Sequence, residues 1–245
     1  IYGLIHYLER AHGIHFPKGG MGGLINGLTK LMKRVGIKII TNATVTQLNT
    51  HNKQISSIVI NGKTTIKGDY FVSNLDPLHL YGTLVPKKHQ NSAVRLKTKH
   101  THISMGLFVI YFGTNIQYPS VKHHTILFGE TYEPLLNDIF SKLKLNKDIS
   151  IYLHRPTATD PSMAPQGHDG FYALVPVPNL LSNVDWSKAA KDLEKHTLQI
   201  LEQRLLPNLS KHLTHCFYKT PHDFKNDYLS EYGAGFSIAP RFTQS

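Results

Sequence analysis

The chain of 245 residues is 40% hydrophobic and 18% charged, with a formal net charge of +11. That balance excludes a disordered or low-complexity polymer and leaves one large or two small globular domains with ample core. The single cysteine, Cys216, excludes an internal disulfide framework and a cysteine-based zinc site, and it fits a reducing compartment.

The spacing of Leu24, Leu28, Leu31 and Val35 predicts an amphipathic helix over Leu24–Val35, stopped by Gly36. The β-branched run Ile37–Ile40 reads as a strand, and Ala43–Leu48 continues extended. Gln54–Ile60 and Lys63–Lys67 flank Asn61-Gly62, a hairpin signal because both residues tolerate positive φ. Asp69–Ser73 reads as another strand, and Asp76-Pro77 opens a short helix through a side-chain cap and a preset φ. Further on, Ile103–Phe112, Thr125–Phe128, Ile149–His154, Phe171–Val175 and Leu213–Tyr218 read as strands, with helices at Tyr132–Leu145 and Ser187–Leu206. Long strands between irregular loops predict an antiparallel or mixed sheet, not repeated βαβ units, and the fold class is α/β in the broad α+β sense. A domain boundary is expected near residues 80–100, where the basic composition reads as a linker.

No targeting leader precedes the first helical pattern, and the first residue is Ile1. The longest strongly apolar run, Leu107–Phe112, is six residues long, where a membrane-spanning helix needs about 20. It is expected to be a buried strand. The basic excess is concentrated. From Pro77 to Gly129 there is no Asp or Glu, while Lys87, Lys88, Arg95, Lys97, Lys99 and Lys122 fall inside that stretch. Such a face attracts anionic lipid head groups or nucleic-acid phosphates. The signatures of nucleic-acid modules are absent, so a membrane surface is the expected partner and nucleic acid is not. A solvated basic face with no partner is the plain alternative.

Gly19-Gly-Met-Gly-Gly23 precedes the first helix, a place where phosphate can bind. The dinucleotide fingerprint fails, because the register of Gly20 and Gly22 needs glycine at 25 and finds Ile25. Gly62-Lys63-Thr64 lacks the earlier glycine of a phosphate loop, Ser57 standing there. No serine-hydrolase elbow occurs, and Cys216 falls in a strand as an inert thiol. The histidines group as His12/His15, His100/His102, His123/His124 and His212/His215 with Cys216, none with metal-ligand spacing or a neighbouring carboxylate, so no metal site is expected. Tyr152–Pro178 holds five prolines, of which Pro156, Pro161 and Pro165 lie between two strands and specify one rigid excursion, with Pro176 and Pro178 after the second strand. Its candidate acid–base groups are His154, Arg155, Asp160 and Asp169. Arg155 can equally cap a loop, and Asp160 before Pro161 can start a turn.

Several of these segments, in order and spacing, resemble the bacterial and fungal type of phytoene desaturase. They are Gly13–Leu24, Gly36–Val45, Gly68–Asp76, His124–Phe128, the Tyr152–Pro178 stretch, Thr220–Phe224 and Gly233–Ser237. The resemblance implies an FAD-dependent oxidoreductase acting on CH–CH bonds of a C40 polyene in carotenoid synthesis, cytoplasmic and peripheral on the membrane. Diapophytoene desaturases and carotene isomerases share the pattern, and a non-enzymatic lipid-binding domain is the rival reading. The implied organisation is a partial Rossmann-like FAD-binding domain at 1–85, a substrate and membrane-associating domain at 86–232, and a return towards the FAD domain at 233–245. Gly19, Gly20 and Met21 are implied near the flavin, Val45 on the adenine side through its backbone, and Asn74 and Asp76 at the end of a returning strand. Gly233 and Gly235 are implied on the opposite approach, with Arg155, Asp160 and Phe236 towards the substrate. The apolar segment Ile103–Phe112 is expected to line a substrate tunnel. Relative to that family, the strand–glycine-loop–helix that holds the pyrophosphate and the glycine-rich segment beyond Gln244-Ser245 are not found, so an internal piece of such an enzyme is expected.

Overall fold

The computed structural model describes residues 2–52 and 54–239. Two helices come first, α1 (Tyr2–His12) and α2 (Gly20–Arg34). Helix α2 ends as expected: Gly36 takes φ 82°, its N–H bonds Lys33 C=O, and Ile37 N–H bonds Met32 C=O, which satisfies carbonyls the last turn leaves free. The expected stripe of Leu24, Leu28, Leu31 and Val35 is there but uncovered, each residue at least 43% exposed.

Strands β1 (Val45–His51), β2 (Gln54–Ile60) and β3 (Thr64–Lys67) form an antiparallel three-stranded sheet in sequence order. Asn61 and Gly62 both adopt positive φ, and Lys63 N–H closes on Ile60 C=O, so the hairpin forms where expected. Two other expected strands do not. Ile37–Ile40 and Asp69–Ser73 pair with no strand among the described residues, and Tyr70 and Val72 are 92% and 99% exposed. β-branched composition supplies propensity, but a strand exists only where a neighbour takes its N–H and C=O groups.

Helix α3 (Pro77–His79) starts on the Asp76 cap, whose carboxylate accepts Leu78 N–H at 2.7 Å. Residues 80–100 are not the linker expected from their basic composition. They fold as a π turn at Leu80–Leu84, a 3-10 turn at Lys87–His89 and α4 (Ser92–Lys99), capped by Asn91 on Val94 N–H.

The remaining elements are β4 (Gly106–Thr114), β5 (His124–Leu127), α5 (Tyr132–Phe140), β6 (Ile151–His154), β7 (Asp169–Val177), α6 (Trp186–Arg204), α7 (Leu209–His212), β8 (Leu213–Lys219) and α8 (Pro221–Tyr228). The five strands make one antiparallel sheet, in the order β5-β6-β7-β4-β8. Alternation assigns its two faces. Phe108, Ile110, Phe112, Leu153, Ala173 and Val175 share one buried cluster with Trp186, Leu193 and Leu201 of α6. Cys216 looks to this side, its thiol bonded to Glu194 and its pKa pushed up to about 12 by burial and that carboxylate. It is an inert thiol.

The proline-rich excursion between β6 and β7 forms two 3-10 turns, Pro156–Ala158 and Pro161–Met163. One buried carboxylate ties it down. Asp169, 1% exposed, accepts Tyr118 N–H at 2.8 Å, Arg155 Nε at 2.8 Å and the Thr157 hydroxyl at 2.6 Å. Arg155 Nη1 goes on to donate to Val121 C=O. Removing one member of a buried pair leaves the other charge uncompensated and costs about 3–5 kcal/mol. Asp169→Ala is therefore expected to lower the urea unfolding free energy by about that much, and a loss below about 1 kcal/mol would show that the network does not hold the excursion.

Candidate functional site

The second face of the five-stranded sheet carries a row of rings. Strand pairing sets Phe217 opposite Tyr111, Tyr111 opposite Tyr172, Tyr172 opposite His154, and His154 opposite His124. One ring therefore comes from each strand, in sheet order. Successive centroids lie 5.0, 5.9, 4.6 and 5.3 Å apart, the spacing at which aromatic pairs attract. Tyr152, two residues before His154, adds a ring 5.8 Å from Tyr172 and from His124, and its hydroxyl bonds His124 Nδ1.

At the β5–β6 end three imidazoles meet. His123 immediately precedes β5, escapes strand alternation, and places its ring 4.4 Å from that of His124. Arg155 N–H holds the His123 carbonyl against the end of β6. His123 Nε2 lies 2.7 Å from His154 Nε2, and His123 Nδ1 bonds the Thr159 hydroxyl of the excursion. Phe16 packs edge-on to both rings. Burial, then the neighbouring imidazoles, lower the His154 pKa from its ordinary 6.5 to about 4, and burial lowers that of His123. Burial, with Tyr152 adding to it, raises the Tyr172 hydroxyl pKa, so Tyr172 stays protonated at neutral pH.

The residues singled out from the sequence fall at two corners of this face and beyond it. At the first corner Gly19 N–H donates to Asp160 Oδ2 at 2.7 Å. Asp160 also accepts from the Ser162 hydroxyl and N–H, and these bonds, Gly19's foremost, lower its pKa. Gly20 is buried with φ 63°, a conformation in which an L side chain is strained, and a Cβ there would press on the end of the Met163 side chain, so the glycine turn closes on the excursion with least strain as glycine. Met21 beside it is 63% exposed. At the second corner Asp76 Oδ2 accepts Glu231 N–H, and His79 pairs with the Glu231 carboxylate. Gly233 (φ 62°) lies against Pro221, where a Cβ would meet its carbonyl oxygen at 2.1 Å. Gly235 N–H bonds Met105 C=O, and its Cα rests on Leu107 at the start of β4. Phe236 is 62% exposed. Val45 pairs with Ile60 in the small sheet, and Asn74 is exposed. Arg155 is buried in the Asp169 network, on the far side of its own backbone from the imidazoles it positions.

Three outcomes were not legible beforehand. The tunnel expected from Ile103–Phe112 is not formed by its core-facing side chains, because Phe108, Ile110 and Phe112 fill the dry interior; Tyr111 alone of the aromatics in that run looks to the open face. The ring row was missed because its members lie up to 106 positions apart and only strand register aligns them. His123 and His124 were noted as a pair, but His154 joins them only through the β5–β6 ladder. Among the described residues no helix is long and apolar enough to cross a membrane.

Comparison with known proteins places these features. Residues 1–234 match the family model described as flavin containing amine oxidoreductase. The whole chain is 39% identical to a lycopene-forming phytoene desaturase of Paracoccus sp., covering 49% of that protein. It is 36% identical to a neurosporene-forming phytoene desaturase of Cereibacter sphaeroides, covering 48% of it. The chain thus spans about half the length of the curated relatives it matches. Among solved structures, an oxidoreductase from Methanosarcina mazei superposes with a TM-score of 0.60 at 17% identity, over 83% of this chain and 42% of that one, which shows a shared fold.

The imidazole cluster makes stability depend on pH. Between pH 6.5 and about 4 an unfolded His154 binds a proton that the folded one does not. Stability is therefore full above the unfolded value and falls as pH drops through that window. A depression of this kind on a half-buried ring is worth on the order of 1–3 kcal/mol after solvent screening. Urea midpoints measured from pH 7 to pH 4 should fall in the parent and fall less in His154→Phe; parallel curves would remove His154 as the cause.

Proposed function

The chain belongs to the family of flavin-containing amine oxidoreductases, and from that premise we propose that it forms the substrate domain, and part of the FAD domain, of a carotenoid desaturase. The observation that carries this reading is the row of rings. Five strands set roughly 4.8 Å apart give the row a length of roughly 19 Å. It is built of aromatic and imidazole rings, a surface suited to a long conjugated hydrocarbon. The tyrosine hydroxyls do not spoil it, since Tyr152 spends its hydroxyl on His124 and Tyr172 stays protonated. The relatives matched across the whole chain are desaturases of such polyenes, which supports this reading over a non-enzymatic lipid-binding domain.

The residues present fit one part of the flavin. One glycine corner lies against the excursion that follows β6, and the other against the start of β4. Exposed Met21 and Phe236 stand beside them as apolar surface for a flat heterocycle. The pyrophosphate is different. Gly19 N–H is already taken by Asp160, and the sequence holds no dinucleotide fingerprint, so no phosphate cradle is supplied by these residues. When bound, the flavin would accept hydride from an allylic carbon. This chain's part is to orient the polyene along the rings and to keep the face dry. Asp160 and Asp169 serve that role indirectly, by fixing the excursion on which the His154 end of the row depends.

A substrate insoluble in water has to be drawn from a membrane, and the basic helices supply a docking surface on this reading. Lys87, Lys88, Arg95, Lys97 and Lys99 are all exposed, and Lys87, Arg95 and Lys99 rim a cleft of about 670 Å³ floored by Leu78, Tyr81 and Ile103. Charge would hold an anionic surface, and the apolar floor would meet its acyl region. The localisation that follows is peripheral, on the cytoplasmic leaflet.

Two measurements test these statements. In the full-length protein, Tyr172→Leu should lower kcat/KM for phytoene supplied in liposomes at least tenfold while flavin absorbance is retained. Unchanged kinetics would sink the lane, and a full-length protein that neither binds flavin nor dehydrogenates phytoene would sink the desaturase reading itself. Reversing Lys87, Arg95, Lys97 and Lys99 to Glu should weaken sedimentation with phosphatidylserine vesicles at least tenfold, and equal binding would remove the membrane role of this face.

A further inference from the structure

His124 and His154 close one end of the ring row, and His123 meets them there. Each offers one ring nitrogen, and the three nitrogens lie within 4.8 Å of one another. We propose that these three imidazoles form a binding site for one borderline divalent transition ion of the Zn2+ class, a site that sequence spacing did not reveal and that the desaturase reading neither requires nor predicts.

Three features of the geometry carry it. The first is the donor set, three imidazoles with no carboxylate in the group. Such a set favours Zn2+, Ni2+ or Cu2+ and discriminates against Mg2+ and Ca2+, which need oxygen ligands. The second is the size of the opening. A tetrahedral ion about 2.05 Å from each nitrogen needs nitrogens roughly 3.3 Å apart. The 2.7 Å contact of His123 Nε2 with His154 Nε2, and the 4.8 Å limit that holds for all three, put the nitrogens within a small adjustment of that value. That contact is a donor facing a lone pair, so an ion entering there displaces one proton. His154 is fixed on β6, while His124 is exposed at the start of β5. The third is the outer support. The Thr159 hydroxyl bonds Nδ1 of His123 and leaves its Nε2 to face the gap, the kind of second partner that orients metal-binding histidines. The Tyr152 hydroxyl likewise holds Nδ1 of His124. Three protein ligands leave a fourth position, on the exposed His124 side, for water. An ion there would clip β5, β6 and the proline-rich excursion together.

The test is calorimetric titration of the full chain with ZnCl2. One ion per chain is expected, with at least hundredfold weaker binding in His124→Ala and in His154→Gln. No change is expected in the double variant His12→Ala/His15→Ala, which removes a different close pair. His124 is exposed, so His124→Ala keeps the test valid even if His154→Gln does not fold. Saturating Zn2+ should also raise the thermal midpoint of the parent and not that of His124→Ala. Zinc bound equally by the parent and His124→Ala, or lost in the His12/His15 variant alone, would overturn the site, as would no stoichiometric binding. None of these readouts depends on flavin or polyene, so failure here leaves the desaturase reading standing.

Discussion

The buried carboxylate of Asp169 is the interaction on which the active face depends. It opens β7, and its three donors come from the loop after β4, from the end of β6 and from the first turn of the excursion. Those three pieces of chain have little else in common. Without the carboxylate, Arg155 would lie buried with no counter-charge, a state that costs more than the pair returns. With it, the end of β6 is fixed, the Arg155 N–H can hold the His123 carbonyl, and the imidazoles of His123 and His154 meet. A structural ion pair thus sets the geometry of groups that do not touch it.

The sheet divides its labour by parity. On β7 the residues alternate buried and half-buried without a break from Asp169 to Val177, and β4 is buried on nearly every residue, with the Gly235 segment lying against Leu107 at its start. The even residues of β4 pack on α6; Tyr111, an odd one, joins the ring row. A one-residue slip in any strand would exchange the dry core for the rings. The face that packs and the face that carries the rings are therefore specified by the same register, and neither can drift without destroying the other.

Much of this architecture was legible in local pattern. The five long strands, the Asn61-Gly62 hairpin, the Asp76 cap and the two longer helices each carry their signal in neighbouring residues. What failed, failed where the deciding partner is distant. Ile37–Ile40 has strand composition but no strand beside it, and the basic stretch at 80–100 was read as a linker because charge masked the Asn91 cap. The candidate site was legible in part. Gly19, Gly20 and Asp160 were each singled out, but the hydrogen bond that unites them spans 141 positions. His123 and His124 announce themselves as neighbours, whereas His154 and Tyr172 look like ordinary strand residues until register sets them side by side.

The N-terminal third shows why those long-range bonds matter. Its own helices bury little, and α2 leaves an apolar stripe open to solvent, a feature that marks a surface built to be covered. Its recorded links to the large sheet are polar or aromatic points: Gly19 on Asp160, Phe16 on His123 and His154, and Asp76 and His79 on Glu231. Each lands at an end of the ring row or on the segment beside Gly233. The small, weakly buried part of the chain is thus registered to the strongly buried part through the corners of the active face itself. A cofactor gripped on one side and a hydrocarbon laid along the other would then be aligned by the contacts that close the fold.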